Sequence, residues 1–369
     1  MKVLFDYQAF ALQRYGGVSR YYYEILARFR NDPAMDCKLG ALVSGNYYLT
    51  LGGNAGKHTY SLTTRAPLAD RLASFVSREH CRILLRRQAF DLFHPTYFRP
   101  YFLHDLGKKP FVMTIYDMIH ELFAADLPSA ERAVSDHKRL LAQQAKRIIA
   151  LSDCTKRDIV RIFGLPEEKI DVVHLANSLP APGKARKPAG LPERYILFVG
   201  NREGYKNFGL FARAVRELLL TDPTLAIVCA GGRPPGAEEQ QELTNLGMDH
   251  RVHYFSGTDE ILASLYANAL LFVFPSLYEG FGIPVLEAFS CDCPVVLSNA
   301  GPLPEVAGDA AVYCDPKSES SMREQIRRVL NEKTLRMSLI TKGRERLQKY
   351  SWDLTAEQTK QVYVKALGS

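Results

Sequence analysis

The chain has 369 residues, 47% of them hydrophobic and 24% charged, the balance of a folded protein rather than a disordered one, with length enough for two or three domains. No run approaches eighteen apolar residues, which argues against a membrane-spanning helix, and the opening Met1-Lys-Val-Leu-Phe reads as a buried strand rather than a signal peptide. The net charge of +7 is lopsided: residues 1–185 hold 26 Lys and Arg against 18 Asp and Glu and the remainder 21 against 22, so an anionic partner is expected for the first half, either a membrane surface or a diphosphate-bearing acceptor.

In chain order, short apolar runs suited to strands fall at residues 3–5, 39–43, 92–94, 111–115, 147–151 and 171–175, separated by amphipathic stretches such as 18–29 and 130–145. This alternation predicts a parallel sheet covered by helices. The Pro- and Gly-bearing segment 177–190 breaks the periodicity and reads as an interdomain linker after a first domain of residues 1–176. The alternation then restarts with strands at 195–199, 225–230, 252–255, 270–274, 295–297 and 311–313, so a second doubly wound sheet is expected over residues 191–351. Residues 318–348 read as two charged helices and 352–367 as a last one.

The most informative stretch is Ser276-Leu-Tyr-Glu-Gly-Phe-Gly-Ile-Pro-Val-Leu-Glu287. An apolar strand precedes it and Pro284 suits a helix start, which puts Glu279 at the carboxyl edge of a sheet and Glu287 in the first helical turn. In open α/β sheets ligands bind outside the strand ends, and a carboxylate there can accept the hydrogens of a ribose diol. The site reads as a nucleotide-sugar pocket. Four further strand ends open onto the same kind of edge. Gly16-Gly17 precedes a helix, where small residues let a diphosphate approach. Gly200 and Arg202 follow the first strand of the second half, with Lys206 four residues beyond Arg202, a spacing that can aim two cations at one phosphate group. Ser256-Gly257 and Gly231-Gly232-Arg233 end two more strands and are candidates for nucleobase contact.

Taken in order, Gly16-Gly17-Val-Ser-Arg-Tyr, Val199-Gly200-Asn-Arg-Glu-Gly-Tyr-Lys-Asn207, the Glu279 to Glu287 stretch, Pro294-Val-Val-Leu-Ser-Asn-Ala-Gly, Pro304-Glu-Val-Ala-Gly-Asp-Ala-Ala and Ser351-Trp-Asp resemble the retaining glycosyltransferases of family 4. Within that family the chain looks closest to mannosyltransferase-B-like enzymes of bacterial surface-polysaccharide assembly. The resemblance implies a GT-B fold: α/β, with two Rossmann-like doubly wound domains facing a cleft and a C-terminal helix crossing back to the first domain. It implies a nucleotide-diphosphate sugar as donor, a GDP-sugar such as GDP-mannose before a UDP-sugar, and a saccharide or polyprenyl-diphosphate-linked acceptor. It also implies that Lys206 and Arg202 neutralise the leaving diphosphate and that Glu287 accepts from the ribose hydroxyls. Glu279, with the backbone amides of Phe281, Gly282 and neighbouring Ile283, would hold the transferred sugar.

The sequence departs from the family in two places. Many relatives carry Pro-Arg-Lys-Asn where this chain has Gly204-Tyr-Lys-Asn207. Many also carry His-Asp where Tyr116-Asp117 stand; Asp117 keeps its expected part in orienting acceptor or sugar, and His120 is the candidate to recover the lost histidine's function. A sugar-nucleotide 2-epimerase of the same fold is the alternative enzyme, and a non-catalytic sugar-binding protein the alternative outside enzymes. No Asp-x-Asp pair occurs, so no metal and no other cofactor is expected, the two cations serving the diphosphate instead. The seven cysteines lack a zinc-site spacing and read as reduced and cytosolic.

Residues 71–87 place Arg71, Arg78, Arg82 and Arg86 on one helical face with Leu72, Phe75, Val76 and Ile83 around it. The segment reads either as a peripheral contact with anionic membrane or as a core-packed helix with a solvated basic face. The rings of Tyr21-Tyr22-Tyr23 and of 97–101 can stack on acceptor sugars or pack a core. No nucleic-acid-binding motif accompanies the basic half, and nucleic acid is not expected as a partner.

Overall fold

The computed structural model describes residues 1–51, 60–61, 67–125, 129–180 and 187–368. The chain divides into two units, Met1–Leu175 with Trp352–Ser369, and Ala176–Ser351. The strands are β1 Lys2–Phe5, β2 Asp36–Leu39, β3 Val43–Ser44, β4 Tyr60–Ser61, β5 Leu92–His94, β6 Val112–Ile115, β7 Arg147–Ala150 and β8 Ile170–Val172 in the first unit. In the second they are β9 Arg194–Val199, β10 Leu225–Ala230, β11 Val252–Phe255, β12 Leu271–Phe274, β13 Val295–Ser298 and β14 Val312–Cys314.

In the first unit β2-β1-β5 and β6-β7-β8 form two parallel ladders joined by a parallel bridge between Phe93 and Phe111. The second unit has one parallel sheet in the order β11-β10-β9-β12-β13-β14. Every residue of β10, β12 and β13 is buried, which is why these strands appear in sequence as unbroken apolar runs rather than alternations. Both sheets wind outward in one direction and then return beside their first strand: β12 lies next to β9, and β5 next to β1. The order therefore reverses once in each sheet, and there the carboxyl ends of two neighbouring strands diverge into helices on opposite faces, leaving a crevice.

The C-terminal helix Trp352–Gly368 belongs to the first unit, packing on the helix Gly17–Phe29 and on β6 and β7. Its buried residues Trp352, Thr355, Ala356, Thr359, Val362, Tyr363 and Ala366 recur at helical spacing, and each large apolar side chain among them contributes about 1.5–3 kcal/mol. Its polar ties are specific: the Tyr363 hydroxyl lies 2.7 Å from His94 Nδ1, and Thr355 Oγ1 donates to the His174 carbonyl at 2.7 Å.

Some expected boundaries move. The strand expected at 39–43 ends at Leu39, and Val43–Ser44 pairs with Tyr60–Ser61 instead. Gly40 makes the break, since a Cβ there would meet Cys81 Sγ at 2.8 Å. The strand expected at 171–175 is Ile170–Val172. Short helices that the apolar periodicity did not reveal, Gln8–Leu12 and Ile119–Leu122, follow β1 and β6. Residues 181–186 of the expected linker lie outside the described residues. All seven cysteines are free thiols.

Candidate active site

The β9/β12 crevice is built from two loops laced to each other. After β9 the chain turns through Gly200 (φ 118°) and Gly204 (φ 55°), a left-handed backbone that suits glycine. Asn207 also has a positive φ, 62°, and its Nδ2 donates to the carbonyls of Pro275 and Pro316 at 3.1 and 2.7 Å. Leu277 N donates to Tyr205 O at 2.7 Å. These bonds fix the loop after β9 against the loop after β12, and Lys206 Nζ reaches Glu279 Oε1 at 2.6 Å. The pair is largely buried, its side chains 16% and 11% exposed, with the ammonium 5.1 Å from the Phe274 ring centroid. A cation and a carboxylate so placed can each exchange the other for a ligand group of opposite character, the ammonium for phosphate and the carboxylate for hydroxyls.

The Glu279 loop is held by two tight approaches. Gly282 has φ 106°, and a Cβ on it would sit 2.8 Å from Leu303 Cδ2. Gly301 (φ 57°), from the loop after β13, lies so close that its Cβ would be 3.3 Å from the Glu279 nitrogen. Phe281 is buried and stands edge-on to Tyr350. The helix Ile283–Ser290 starts with Pro284 in its first turn. Glu287 is its fifth residue, so it sits in the second turn rather than the first as expected. It is 7% exposed and accepts from the Tyr266 hydroxyl at 3.1 Å. Burial, and then the Glu287 charge, hold the Tyr266 phenol far above its usual range, so it stays a donor.

Arg202 is engaged apart from Lys206 in this structure. Its Nε donates to Glu239 at 2.6 Å, its Nη1 to Gly231 O at 3.2 Å and its Nη2 to Arg233 O, while the guanidinium lies over Tyr254 at 4.9 Å. All three nitrogens are thus engaged in stapling the loop after β10, and the side chain is 4% exposed. The four-residue spacing suggested one face of a helix, but residues 200–207 form a loop closed by the 3-10 turn Gly204–Lys206. Ser256 and Gly257 are exposed at the end of β11, two strands from β9 and about 10 Å from the crevice at the usual strand spacing.

In the first unit Gly16 caps the helix Gly17–Phe29 in extended backbone, with the Gln13 side chain folded over it so that a Cβ would lie 2.5 Å from Gln13 Oε1. Gly17 is exposed at that helix start. Asp117 Oδ1 accepts from Ile119 N at 3.0 Å in the turn that leads into the short helix after β6, and His120 lies within that helix, partly buried. Beneath them is a lysine that sequence reasoning missed. Lys138 is fully buried, and its ammonium donates to the Asp117 carbonyl at 3.0 Å and to Glu121 at 2.9 Å, with its Nζ 5.3 Å from the Phe98 ring. Tyr116 is engaged elsewhere, its hydroxyl donating to Thr96 O at 2.7 Å and lying 3.0 Å from Tyr22 Oη. Tyr21 and Tyr22 are core residues.

The basic helix Pro67–Arg86 is only in part a free cationic face. Arg82 and Arg86 both donate to Asp105 at 2.7 Å, and Arg78 pairs with Glu79 at 3.0 Å. Leu68, Leu72, Phe75 and Ile83 of this helix are exposed, so the reading in which it is packed into the core fails for that stripe.

Residues 15–176 match the family model described as Glycosyltransferase Family 4, and residues 184–346 the one described as Glycosyl transferases group 1. The chain is 29% identical over 342 residues to an O-antigen chain mannosyltransferase B of Escherichia coli, covering 83% of this chain and 89% of that protein. It is 28% identical over 345 residues to a D-inositol 3-phosphate glycosyltransferase of Salinispora arenicola, covering 83% and 76%. Among solved structures, Anabaena Alr3699/HepE in complex with UDP and glucose superposes with a TM-score of 0.73 at 16% identity over 98% of this chain and 99% of that one.

Proposed function

With a family 4 domain in its first half and a group 1 domain in its second, this chain belongs to the glycosyltransferases of GT-B fold, and we propose that it is a retaining enzyme that moves mannose from GDP-mannose to a lipid-linked saccharide in surface-polysaccharide synthesis. The observation that carries the reading is the Lys206–Glu279 pair at 2.6 Å across the β9/β12 crevice. The donor diphosphate takes Lys206 from Glu279, and Glu279 turns to the sugar hydroxyls. Glu287, oriented by Tyr266, accepts from the ribose diol. The bond from the anomeric carbon to the diphosphate then breaks as the acceptor oxygen bonds to that carbon on the same face, and the acceptor proton passes to the departing phosphate oxygen. Lys206 stabilises the charge that develops there, without a metal ion. Asp117, held from beneath by Lys138, orients the acceptor. Similarity to a mannosyltransferase supports the donor choice. A UDP-sugar is the second reading, supported by the UDP and glucose bound to the Anabaena neighbour. The exposed stripe Leu68, Leu72, Phe75 and Ile83 supports peripheral contact with an anionic membrane.

Calorimetric titration with GDP, GDP-mannose, UDP and UDP-glucose tests the donor site. One nucleotide class should bind, and Glu287→Ala should weaken it by about 10- to 150-fold, the equivalent of a charged hydrogen bond worth roughly 1.5–3 kcal/mol, with native circular dichroism. Wild-type affinity in Glu287→Ala refutes the pocket.

A further inference from the structure

The rule that places the donor at the β9/β12 reversal applies equally to the first sheet, whose order reverses between β1 and β5. The residues that leave those strand ends are Asp6, Tyr7 and Gln8 after β1, and Thr96 to Arg99 after β5. They are locked together by groups with no access to solvent. Asp6 is wholly buried and accepts from Thr96 N at 2.8 Å, Thr96 Oγ1 at 2.5 Å and Gln8 Nε2 at 2.6 Å. Gln8, 1% exposed, in turn clasps the backbone of Arg99: Arg99 N donates to Gln8 Oε1 at 2.9 Å, and Gln8 Nε2 donates to Arg99 O at 3.2 Å.

A cavity of about 420 Å³ opens at this point, between the helices Gln8–Leu12 and Pro67–Arg86. Tyr7, Gln8, Arg71, Phe75, Arg78 and Arg99 line it. Three guanidiniums thus face one space. Asp70, the one carboxylate in its wall among the described residues, is already paired with Arg14 at 2.8 Å. Arg71 and Arg99 have no ion-pair partner among the described residues, and Arg78 has Glu79. Two apolar side chains of the lining reach solvent, Leu12 at 46% and Phe75 at 53% exposed, and Leu68 and Leu72 are exposed on the same helix as Phe75.

We propose that this cavity binds the diphosphate of a lipid-linked acceptor, with Arg71, Arg78 and Arg99 on the phosphates and Leu12 and Phe75 along the first carbons of the lipid. Arginine forks suit phosphate oxygens, which accept paired N–H donors. The volume falls in the range of small-ligand sites. The exposed apolar side chains beside the cations select an amphiphile over a free anion, since neither feature alone would need the other. The assignment rests on the reading that the acceptor is lipid-linked, and deepens it by naming the residues that hold the charged end.

The test is calorimetry on the full chain with geranyl diphosphate, inorganic pyrophosphate and geraniol at matched ionic strength. Geranyl diphosphate should bind more tightly than either of the others. Arg71→Ala with Arg99→Ala, both exposed positions, should weaken it at least about 10-fold while nucleotide binding, circular dichroism and the fluorescence of Trp352 in the first unit stay unchanged. Saturating GDP or UDP should not displace it. Equal affinity for inorganic pyrophosphate, wild-type affinity in the double variant, or displacement by nucleotide would each overturn the proposal. A chain that binds no nucleotide but does bind geranyl diphosphate at these arginines would refute the donor reading and leave this one standing.

Discussion

Lowering the pH should unlatch the C-terminal helix through one buried histidine. His94 is fully buried, with Nδ1 2.7 Å from the Tyr363 hydroxyl and Nε2 3.1 Å from Thr114 Oγ1. Burial lowers its pKa from 6.5 to about 3, so the folded form holds a neutral ring while the unfolded chain takes up a proton as pH falls below about 6.5. A group depressed in this way contributes stability in full above the unfolded value and loses it steadily down to the folded one. The slope is about 1.4 kcal/mol per pH unit, approaching about 5 kcal/mol over the window. Asp6 works in the opposite sense, because burial raises its carboxyl above 3.8 and the folded form protonates first; it is common to wild type and variant and cancels in their difference. The assay is urea unfolding followed by fluorescence of Trp352, the only tryptophan in the chain, which is 5% exposed and belongs to the first unit. With an m-value near 3 kcal/mol/M, the midpoint should fall by roughly 0.5 M per pH unit below 6.5, more steeply than in His94→Gln, which cannot gain the charge. Parallel pH slopes for the two proteins would refute the argument.

Two further predictions separate roles at the donor site. Lys206→Ala should lower kcat by about 10- to 150-fold with little loss of thermal stability, because its target gains charge as the glycosyl bond breaks; Arg202→Ala should instead lower the melting temperature more than Lys206→Ala does, since it strands Glu239 and two carbonyls, and the opposite ranking in a thermal melt would reverse the assignment. Turnover should persist in excess EDTA, and proton NMR of the first product should show an α-linkage from an α-linked donor; loss of activity restored by Mg²⁺, or a β-linked product, would refute the metal-free retaining route.

The strands were legible because burial on both faces leaves an unbroken apolar run, as in β10 and β12, and only the ends moved. The places of Glu279 and Gly282 at a strand end and a left-handed turn were legible because a carboxylate, a glycine and a helix-starting proline carry their constraints locally, while Glu287 fell one turn further along the helix than expected. The partner of Arg202 was not legible because local spacing says nothing about Glu239, 37 positions away. Tyr266 and Lys138 were missed for the same reason, each being defined by what it touches rather than by its neighbours in the chain. Arg82 and Arg86 looked free in sequence because Asp105, which holds both, lies beyond a strand and a turn.

Strand order decides which of these local signals meet. Lys206 and Glu279 are 73 positions apart and come together because the chain, having laid β10 and β11 outward from β9, returns to place β12 on the other side of it. Arg99 and Tyr7 come together through the same reversal at β1 and β5. In the first unit the pocket wall is fixed by Asp6 and Gln8, and Tyr116 joins that frame through Thr96 O and Tyr22. A histidine there would lack the reach of the phenol to Thr96. The substitution that looked in sequence like the loss of a chemical group therefore ties the end of β6 to the loop after β5, and with it to the backbone that carries Arg99.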